Sequence, residues 1–262
     1  MKTYSKIILA CLVLNASHVA LAQTAEEKGL EIATEADKRD TGFVDSRAEL
    51  TMELRNKQGD TSSRQVRVRT LEVTSDGDKS LSIFDDPADV KGTAFLTFSH
   101  VKEADEQWLY LPELKRVKRI ASKNKSGPFM GSEFAYEDIA SQEVDKYTYK
   151  YLNDEKLNGI DCFVVERFPV YESSGYVRQV AWINKNEYRP EKIVFYDRKN
   201  DLLKTLIYSD YKQYLNQYWR ADTMHMENHQ TGKSTLLTWK NYKFKNGYTD
   251  NDFNRNSLEN AK

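Results

Sequence analysis

Apolar side chains recur every three to four positions near the start of the chain, between residues 24 and 40. A stripe with this period predicts an amphipathic helix that packs one face against the rest of the protein. Gly42 follows the stripe and is the expected stop of the helix. The apolar side chains of the stripe are Leu30, Ile32, Ala33 and Ala36.

The period changes to two after Gly42, where apolar and polar residues alternate through residues 44–56. Alternation of this kind predicts a strand with one buried face. Similar segments follow to the end of the chain, separated by turn signals such as Asn158-Gly159. We count about ten to eleven strands in simple up-and-down order, with no strand-helix-strand alternation. The apolar face of the first strand comprises Ala48, Leu50, Met52 and Leu54.

These elements predict a mainly β fold, in which one large, strongly curved antiparallel sheet carries the N-terminal helix. A sheet of this kind closes into a barrel or remains half-open, and its concave face must be covered or filled. No stretch between the strands has the composition of a linker. Residues 23–262 are therefore expected to form a single domain.

The first 22 residues have the layout of a secretory signal peptide. A short basic start is followed by an apolar run that ends in Ala20-Leu21-Ala22, a pattern of small residues that suits cleavage after Ala22. The apolar run before Cys11 is too short for a lipoprotein signal. Export to the periplasm is therefore expected.

Charge and cysteine content limit the partners and the cross-links that this chain can have. The whole chain has 39 basic and 40 acidic residues, and near-neutrality combined with export argues against nucleic acid as a partner. After removal of the signal only Cys162 remains, so no disulfide within the chain is available. Cys162 lies among apolar residues in a predicted strand, and we interpret it as a small buried hydrophobic residue.

Enzyme signatures are missing from the sequence. The motifs G-x-S-x-G, H-E-x-x-H and the phosphate-binding P-loop do not occur. His225, Glu227 and His229 alternate along one predicted strand and would share a face, which is a possible zinc arrangement. A polar strand face is the favoured interpretation, so we predict no metal site, no cofactor and no catalytic residues.

A basic run, residues 115–125, precedes an apolar loop. Its candidate functional residues are Arg116, Lys118 and Arg119. Basic side chains next to aromatic ones suit an anionic lipid headgroup or a membrane surface. The alternative is an ordinary solvated hairpin.

The loop itself, residues 127–138, reads GPFMGSEFAYED. Gly127 and Gly131 would give hinge freedom, and Phe129 and Met130 would form the soft apolar tip of a mobile flap. The alternative is a connection between strands whose Phe and Met side chains plug one end of the barrel.

Two adjacent motifs, WLYLPELKRVKRI at 108–120 and GPFMGSEFAYED at 127–138, resemble the outer-membrane lipoprotein-sorting proteins of the LolA/LolB superfamily. Within it, they look like the branch found beside exporters of the RND or MMPL type. The resemblance extends over nearly the whole mature chain. It implies a half-open antiparallel barrel with short lid helices on the concave side, and a hydrophobic cavity that holds acyl chains without catalysis.

The resemblance leads to a functional hypothesis. The protein would be a periplasmic carrier that shelters the acyl chain of a lipid or lipoprotein and passes it towards the outer membrane, or to or from an exporter. Arg116, Lys118 and Arg119 would contact a headgroup or a membrane. The alternatives are an accessory protein that binds an RND-type exporter without lipid and, less favoured, a metal-dependent enzyme. The expected cavity residues are Trp108, Tyr110, Phe129, Met130, Phe134 and Tyr136.

Overall fold

A computed structural model describes residues 23–259. The expected signal peptide, residues 1–22, lies outside the described residues. Among the helices that the structure describes, none combines the length and the apolar character needed to cross a membrane.

The described chain contains two α-helices, thirteen strands and six 3-10 helices of three residues each. Helix α1 spans Ala25–Asp40, and helix α2 spans Arg255–Glu259 near the end. The strands are β1 Asp45–Arg55, β2 Thr61–Leu71, β3 Lys79–Asp86, β4 Ala94–Phe98, β5 Glu106–Leu111, β6 Arg116–Arg119, β7 Tyr147–Leu157, β8 Ile160–Pro169, β9 Tyr176–Asn184, β10 Pro190–Asp197, β11 Leu202–Tyr214, β12 Tyr218–Asn228 and β13 Ser234–Phe244.

All thirteen strands form one antiparallel sheet, in the order β6-β5-β4-β3-β2-β1-β13-β12-β11-β10-β9-β8-β7. The sheet does not close, because β6 and β7 are its two edges and do not pair with each other. The prediction of a mainly β, half-open antiparallel barrel with an N-terminal helix is confirmed. The number of strands was underestimated. The apolar pattern did not predict β6, because Val117 is its only apolar residue and the other three are basic.

Helix α1 begins with a capping box. The Glu27 N–H donates to Thr24 Oγ1 at 3.1 Å, and the Thr24 N–H donates to Glu27 Oε2 at 2.8 Å. These two bonds satisfy donors that the first turn leaves free. The buried face of α1 is rotated from the predicted stripe, because Gly29 and Ile32 are buried whereas Leu30 is exposed.

Alternate residues of the strands build two separate cores. We call the face of the sheet that carries α1 the inner face, and the opposite face the outer face. In β5, Leu109 joins the inner core and Trp108 joins the outer core, where it packs with Phe253 and Leu258 of the C-terminal segment. Both faces of β5 are therefore covered, which explains why this strand is apolar on both sides. Cys162 is fully buried, as predicted.

Helix α1 lies directly on the backbone of β7 at Gly29. A Cβ atom built at this position would lie 2.8 Å from the Tyr151 nitrogen and 2.9 Å from the Lys150 nitrogen. Only glycine therefore allows α1 to approach β7 this closely.

We predict that Gly29→Ala lowers the free energy of unfolding by about 1–3 kcal/mol, because α1 must shift away from the β7 backbone. Helix propensity alone would favour alanine by about 1 kcal/mol, so the sign of the effect is informative. Urea denaturation measures the change, and Lys38→Ala, on the exposed face of α1, is the control. Equal or higher stability of the Gly29 variant would contradict the close contact.

Candidate functional site

Residues 120–146 connect the two edges of the sheet and run across its inner face; we call them the crossing segment. Phe129 and Phe134 of this segment are buried in the inner core. The ring centroid of Phe129 lies 5.0 Å from that of Phe95 in β4 and 6.0 Å from that of Phe84 in β3. The crossing segment therefore plugs one end of the half-barrel, which is the second of the two interpretations of this loop.

A buried ion pair fixes the crossing segment to the sheet. Lys204 Nζ, at the start of β11, donates to Asp138 Oδ2 at 2.7 Å and to the Glu133 carbonyl at 2.9 Å. The Tyr176 hydroxyl lies 2.9 Å from both carboxylate oxygens of Asp138. Both partners of the pair are buried, and loss of either one would leave an uncompensated charge in the interior.

Glu137 provides a second anchor beside this pair. Its carboxyl group accepts hydrogen bonds from Ser174 Oγ at 2.8 Å, from the Gly175 N–H at 2.8 Å and from the Tyr171 hydroxyl at 3.1 Å. Burial, together with the nearby Asp138 carboxylate, raises the pKa of Glu137 to about 7. The protonation of this carboxyl group therefore changes near neutral pH.

The inner face is hollow beyond the plug. A cavity of about 990 Å³ lies between α1, the crossing segment and the inner face of the sheet. Its main wall comes from β8 to β13, and Ala33 and Ala36 of α1 lie opposite. Many of its side chains are apolar or aromatic, including Phe134, Ile183, Ile193, Leu206, Met224 and Trp239. This size and this lining suit a small apolar ligand or an acyl chain.

The mouth of the cavity lies at the end of the half-barrel opposite the plug. The exposed lining residues Asn186 and Asn216 belong to the β9–β10 and β11–β12 turns, and Asp40 ends α1 beside them. An ion pair between Arg220 of β12 and Asp40 holds this end of α1 to the sheet. Arg39 donates to the Asn186 carbonyl at 2.5 Å and adds a second link. The end of α1 therefore borders the entrance.

A second cleft, of about 660 Å³, adjoins this entrance and is strongly acidic. It lies between the end of α1 and the β2–β3 connection, and it includes Glu72, Asp78 and Glu143. Burial and the neighbouring carboxylates raise the pKa of Asp78 to about 7. The cleft therefore holds less negative charge below neutral pH than its composition indicates.

Comparison with solved structures identifies the family. A domain described as an outer membrane lipoprotein-sorting protein, from Vibrio parahaemolyticus, is 59% identical, has a TM-score of 0.88, and aligns over 89% of this chain and 99% of that one. The chain belongs to the family of this lipoprotein-sorting domain. A DUF1329 family protein from Desulfovibrio piger is 31% identical, with a TM-score of 0.86 over 90% of this chain and 99% of the other.

Further comparisons concern the fold and the extent of the sequence match. A LolA superfamily protein from Nitrosomonas europaea is 21% identical and has a TM-score of 0.71 over 90% of this chain and 100% of that one, so it shares the fold. A family model whose description reads "Uncharacterized protein" matches residues 76–260. Comparison with curated proteins gives no match.

The six side chains that the LolA/LolB resemblance placed in the cavity lie in three different parts of the structure. Trp108 and Tyr110 lie on the outer face of β5, among the outer core and the C-terminal segment, and they do not line the cavity. Phe129 is buried in the plug, and Met130 and Tyr136 pack beside it. Of the six, only Phe134 is part of the cavity lining.

The three basic side chains of the motif lie at the edge of the sheet. Arg116 and Lys118 are exposed on β6, and Arg119 is paired with Glu106, with 2.8 Å between Nη2 and Oε1. None of the three lines the cavity. A direct contact with a ligand inside this cavity is therefore excluded for them, whereas contact with a surface outside the protein is possible.

Most of the cavity wall was missed because it comes from strands far apart in the sequence. Tyr208, Arg167 and Trp239 lie on β11, β8 and β13, and they line one cavity only because the sheet curves. The alternation of each strand identifies a buried face, but it does not distinguish a face that packs against side chains from one that borders empty space.

The candidate metal ligands do not form a site. His225 and Glu227 are exposed on β12, and His229 is exposed in the turn that follows, where its Nε2 lies 2.7 Å from Thr205 Oγ1. Within residues 23–259, no group of three or more His, Cys, Asp or Glu side chains has an arrangement that could hold a metal ion.

We predict that Phe129→Ala lowers the free energy of unfolding by about 3–5 kcal/mol, because it leaves a cavity in the inner core. Leu114→Ala, at a side chain that is 61% exposed, is the control and should change stability by less than about 0.5 kcal/mol. Urea denaturation compares the two variants. A similarly small effect for Phe129 would indicate a mobile flap instead of a plug.

Glu137 leads to a pH-dependent prediction. Because its pKa is raised from 4.5 to about 7, the native protein retains a proton that the unfolded chain loses, and stability from this group declines as pH rises between these values. The Glu137→Gln variant lacks this titration. The free energy of unfolding of the variant, relative to that of wild type, should therefore increase by about 3 kcal/mol between pH 4.5 and pH 8.

Urea denaturation at the two pH values measures this relative change. Glu172→Gln, at an exposed carboxylate nearby, is the control and should show no comparable change. If Glu137→Gln and wild type lost stability in parallel as pH rose, the raised pKa would be refuted.

Proposed function

We propose that this protein is a periplasmic carrier that shelters the acyl chain of a lipid or lipoprotein in the cavity beneath α1. The observation that carries the proposal is the cavity of about 990 Å³ at the open end of a LolA-like half-barrel. The relative from Vibrio parahaemolyticus, which is described as an outer membrane lipoprotein-sorting protein, supports the same role.

The energetic need for such a shelter is large. Exposure of one acyl methylene to water costs about 0.8 kcal/mol, so a chain of fifteen carbons costs about 12 kcal/mol. Movement of a lipid across an aqueous compartment therefore requires a protected apolar site. The side chains of Ile183, Ile193 and Leu206 supply such a surface in the cavity.

In this proposal the protein transfers its cargo and catalyses no reaction. The carrier would pass its cargo towards the outer membrane, or to or from an inner-membrane exporter of the RND type, without making or breaking a bond. The support for the exporter is the resemblance of residues 108–120 and 127–138 to the exporter-associated branch. Cleavage after Ala22 would release residues 23–262 as one domain into the periplasm.

The basic edge of the sheet suits a transient membrane contact in this cycle. Arg116 and Lys118 are exposed on β6, next to Leu114, a leucine that is itself exposed. Positive charge beside an apolar side chain favours an anionic membrane surface, where each such charge contributes about 1 kcal/mol. Arg119 contributes less, because Glu106 neutralises it.

The proposal is tested by filling the cavity. Ala36 of α1 lines it, whereas Thr34 of the same helix is exposed. We predict that Ala36→Trp strongly reduces the binding of a fluorescent fatty acid, because the indole occupies the space for the acyl chain. Thr34→Trp is the matched control and should bind like wild type. Equal binding by both variants, or no binding by the wild-type protein, would contradict the proposal.

A further inference from the structure

Four arginines line the cavity, and one of them differs from the others in its charge environment. Arg39 is paired with Glu35 at 2.7 Å, Arg189 with Glu191 at 3.0 Å, and Arg220 with Asp40. The fourth, Arg167 of β8, forms no ion pair with any carboxylate of the described residues. It is partly buried in the wall of the cavity.

Neutral groups hold the Arg167 side chain in place. Nε and Nη2 donate to Gln179 Oε1 at 2.8 and 2.5 Å, and Nη2 also lies 3.3 Å from Gln142 Oε1 in the crossing segment. The guanidinium carbon lies 4.6 Å from the centroid of the Tyr147 ring. Within residues 23–259, Nη1 donates to no acceptor. The guanidinium is thus fixed by dipoles and a ring face, and no carboxylate among the described residues pairs with it.

The carboxylates near this cation do not pair with it. Asp138 also lines the cavity, but its carboxylate is engaged by Lys204 at 2.7 Å and by the Tyr176 hydroxyl at 2.9 Å. The Glu137 carboxyl group lies close to the same Tyr147 ring as Arg167, but it accepts three other hydrogen bonds. The Arg167 guanidinium therefore remains available to whatever occupies the cavity.

A further donor of the cavity lining has no partner in the protein. The Tyr208 hydroxyl on β11 makes no hydrogen bond with the described residues. An occupant that brings acceptor oxygens would offer a hydrogen bond to this hydroxyl as well as to Arg167.

We propose that Arg167 binds the anionic group, a carboxylate or a phosphate, of an acyl amphiphile held in the cavity. The planar guanidinium fork is suited to both groups, because two parallel N–H bonds match their paired oxygens. The inference deepens the proposed carrier function and rests on it. It assigns an anionic lipid as the cargo class and places the headgroup inside the cavity, beside the crossing segment.

The experiment is calorimetric titration of the purified protein with three ten-carbon ligands below their micelle concentrations: decanoate, decyl phosphate and decanamide. The amide has the chain and shape of the carboxylate but no charge. Wild type should bind at least one anion about 10- to 100-fold more tightly than the amide, as expected for a charge-assisted hydrogen bond. Comparison of decanoate with decyl phosphate shows which headgroup the site prefers.

Arg167→Gln should remove the preference for the anion over the amide. Arg178→Gln is the matched control. Arg178 lies on the adjacent strand β9 and is paired with Glu166 at 2.9 Å, but it does not line the cavity. This control variant should keep the preference for the anion.

The outcomes distinguish failure of the Arg167 proposal from failure of the carrier proposal. If wild type binds the amide as tightly as both anions, or if Arg167→Gln keeps the preference, the role of Arg167 is refuted and the carrier proposal stands. If wild type binds none of the three ligands, the carrier proposal fails as well. The wild-type comparison is decisive even if the Arg167 variant does not fold.

Discussion

An open sheet must cover its apolar inner face, and the rest of this structure depends on how that requirement is met. The sheet has edges at β6 and β7, so the burial that closure would give must come from other parts of the chain. The crossing segment buries Phe129 and Phe134 at one end. Helix α1 extends over the other end without filling it, and a cavity of about 990 Å³ remains. Plug and cavity therefore result from the same constraint.

The Lys204–Asp138 pair lies where the plug meets the cavity. Burial of two opposite charges gives little net stability, so their role is better understood as positional. Lys204 also binds the Glu133 carbonyl, and Tyr176 binds Asp138, which fixes the crossing segment in one register on the sheet. The adjacent Gln142 then supports Arg167. Gln142 belongs to the same crossing segment, so the contacts that hold the plug also help to orient Arg167, which pairs with no carboxylate within residues 23–259.

The sequence was sufficient to predict the fold, since the helix, the alternating strands and the half-open barrel all follow from local periodicity and from the family motifs. The same information predicted the cavity wall poorly. Trp108 and Tyr110 belong to an apolar strand whose two faces are both covered, and periodicity cannot identify which face borders the cavity. Phe129 was expected either at a mobile tip or in a plug, and only its long-range packing against Phe84 and Phe95 decides between them.

Arg167 was missed for a related reason. Among 39 basic residues it differs only in what surrounds it, because its neighbours Gln142 and Gln179 are distant in sequence and supply dipoles instead of a charge. Unpaired charge is a property of the folded molecule. The edge residues Arg116 and Lys118 were easier to notice because they cluster in the sequence, although they lie outside the cavity.

We propose that the cavity carries an acyl chain, and mass spectrometry is the most direct test. The protein is produced with its expected signal peptide and purified from the periplasm without detergent, and its bound lipids are extracted and quantified against the protein. A carrier should be isolated with close to one acyl amphiphile per protein molecule, absent from the Ala36→Trp variant prepared in the same way. A wild-type protein that carries no lipid, and that takes up none when lipid is supplied, would refute the carrier function.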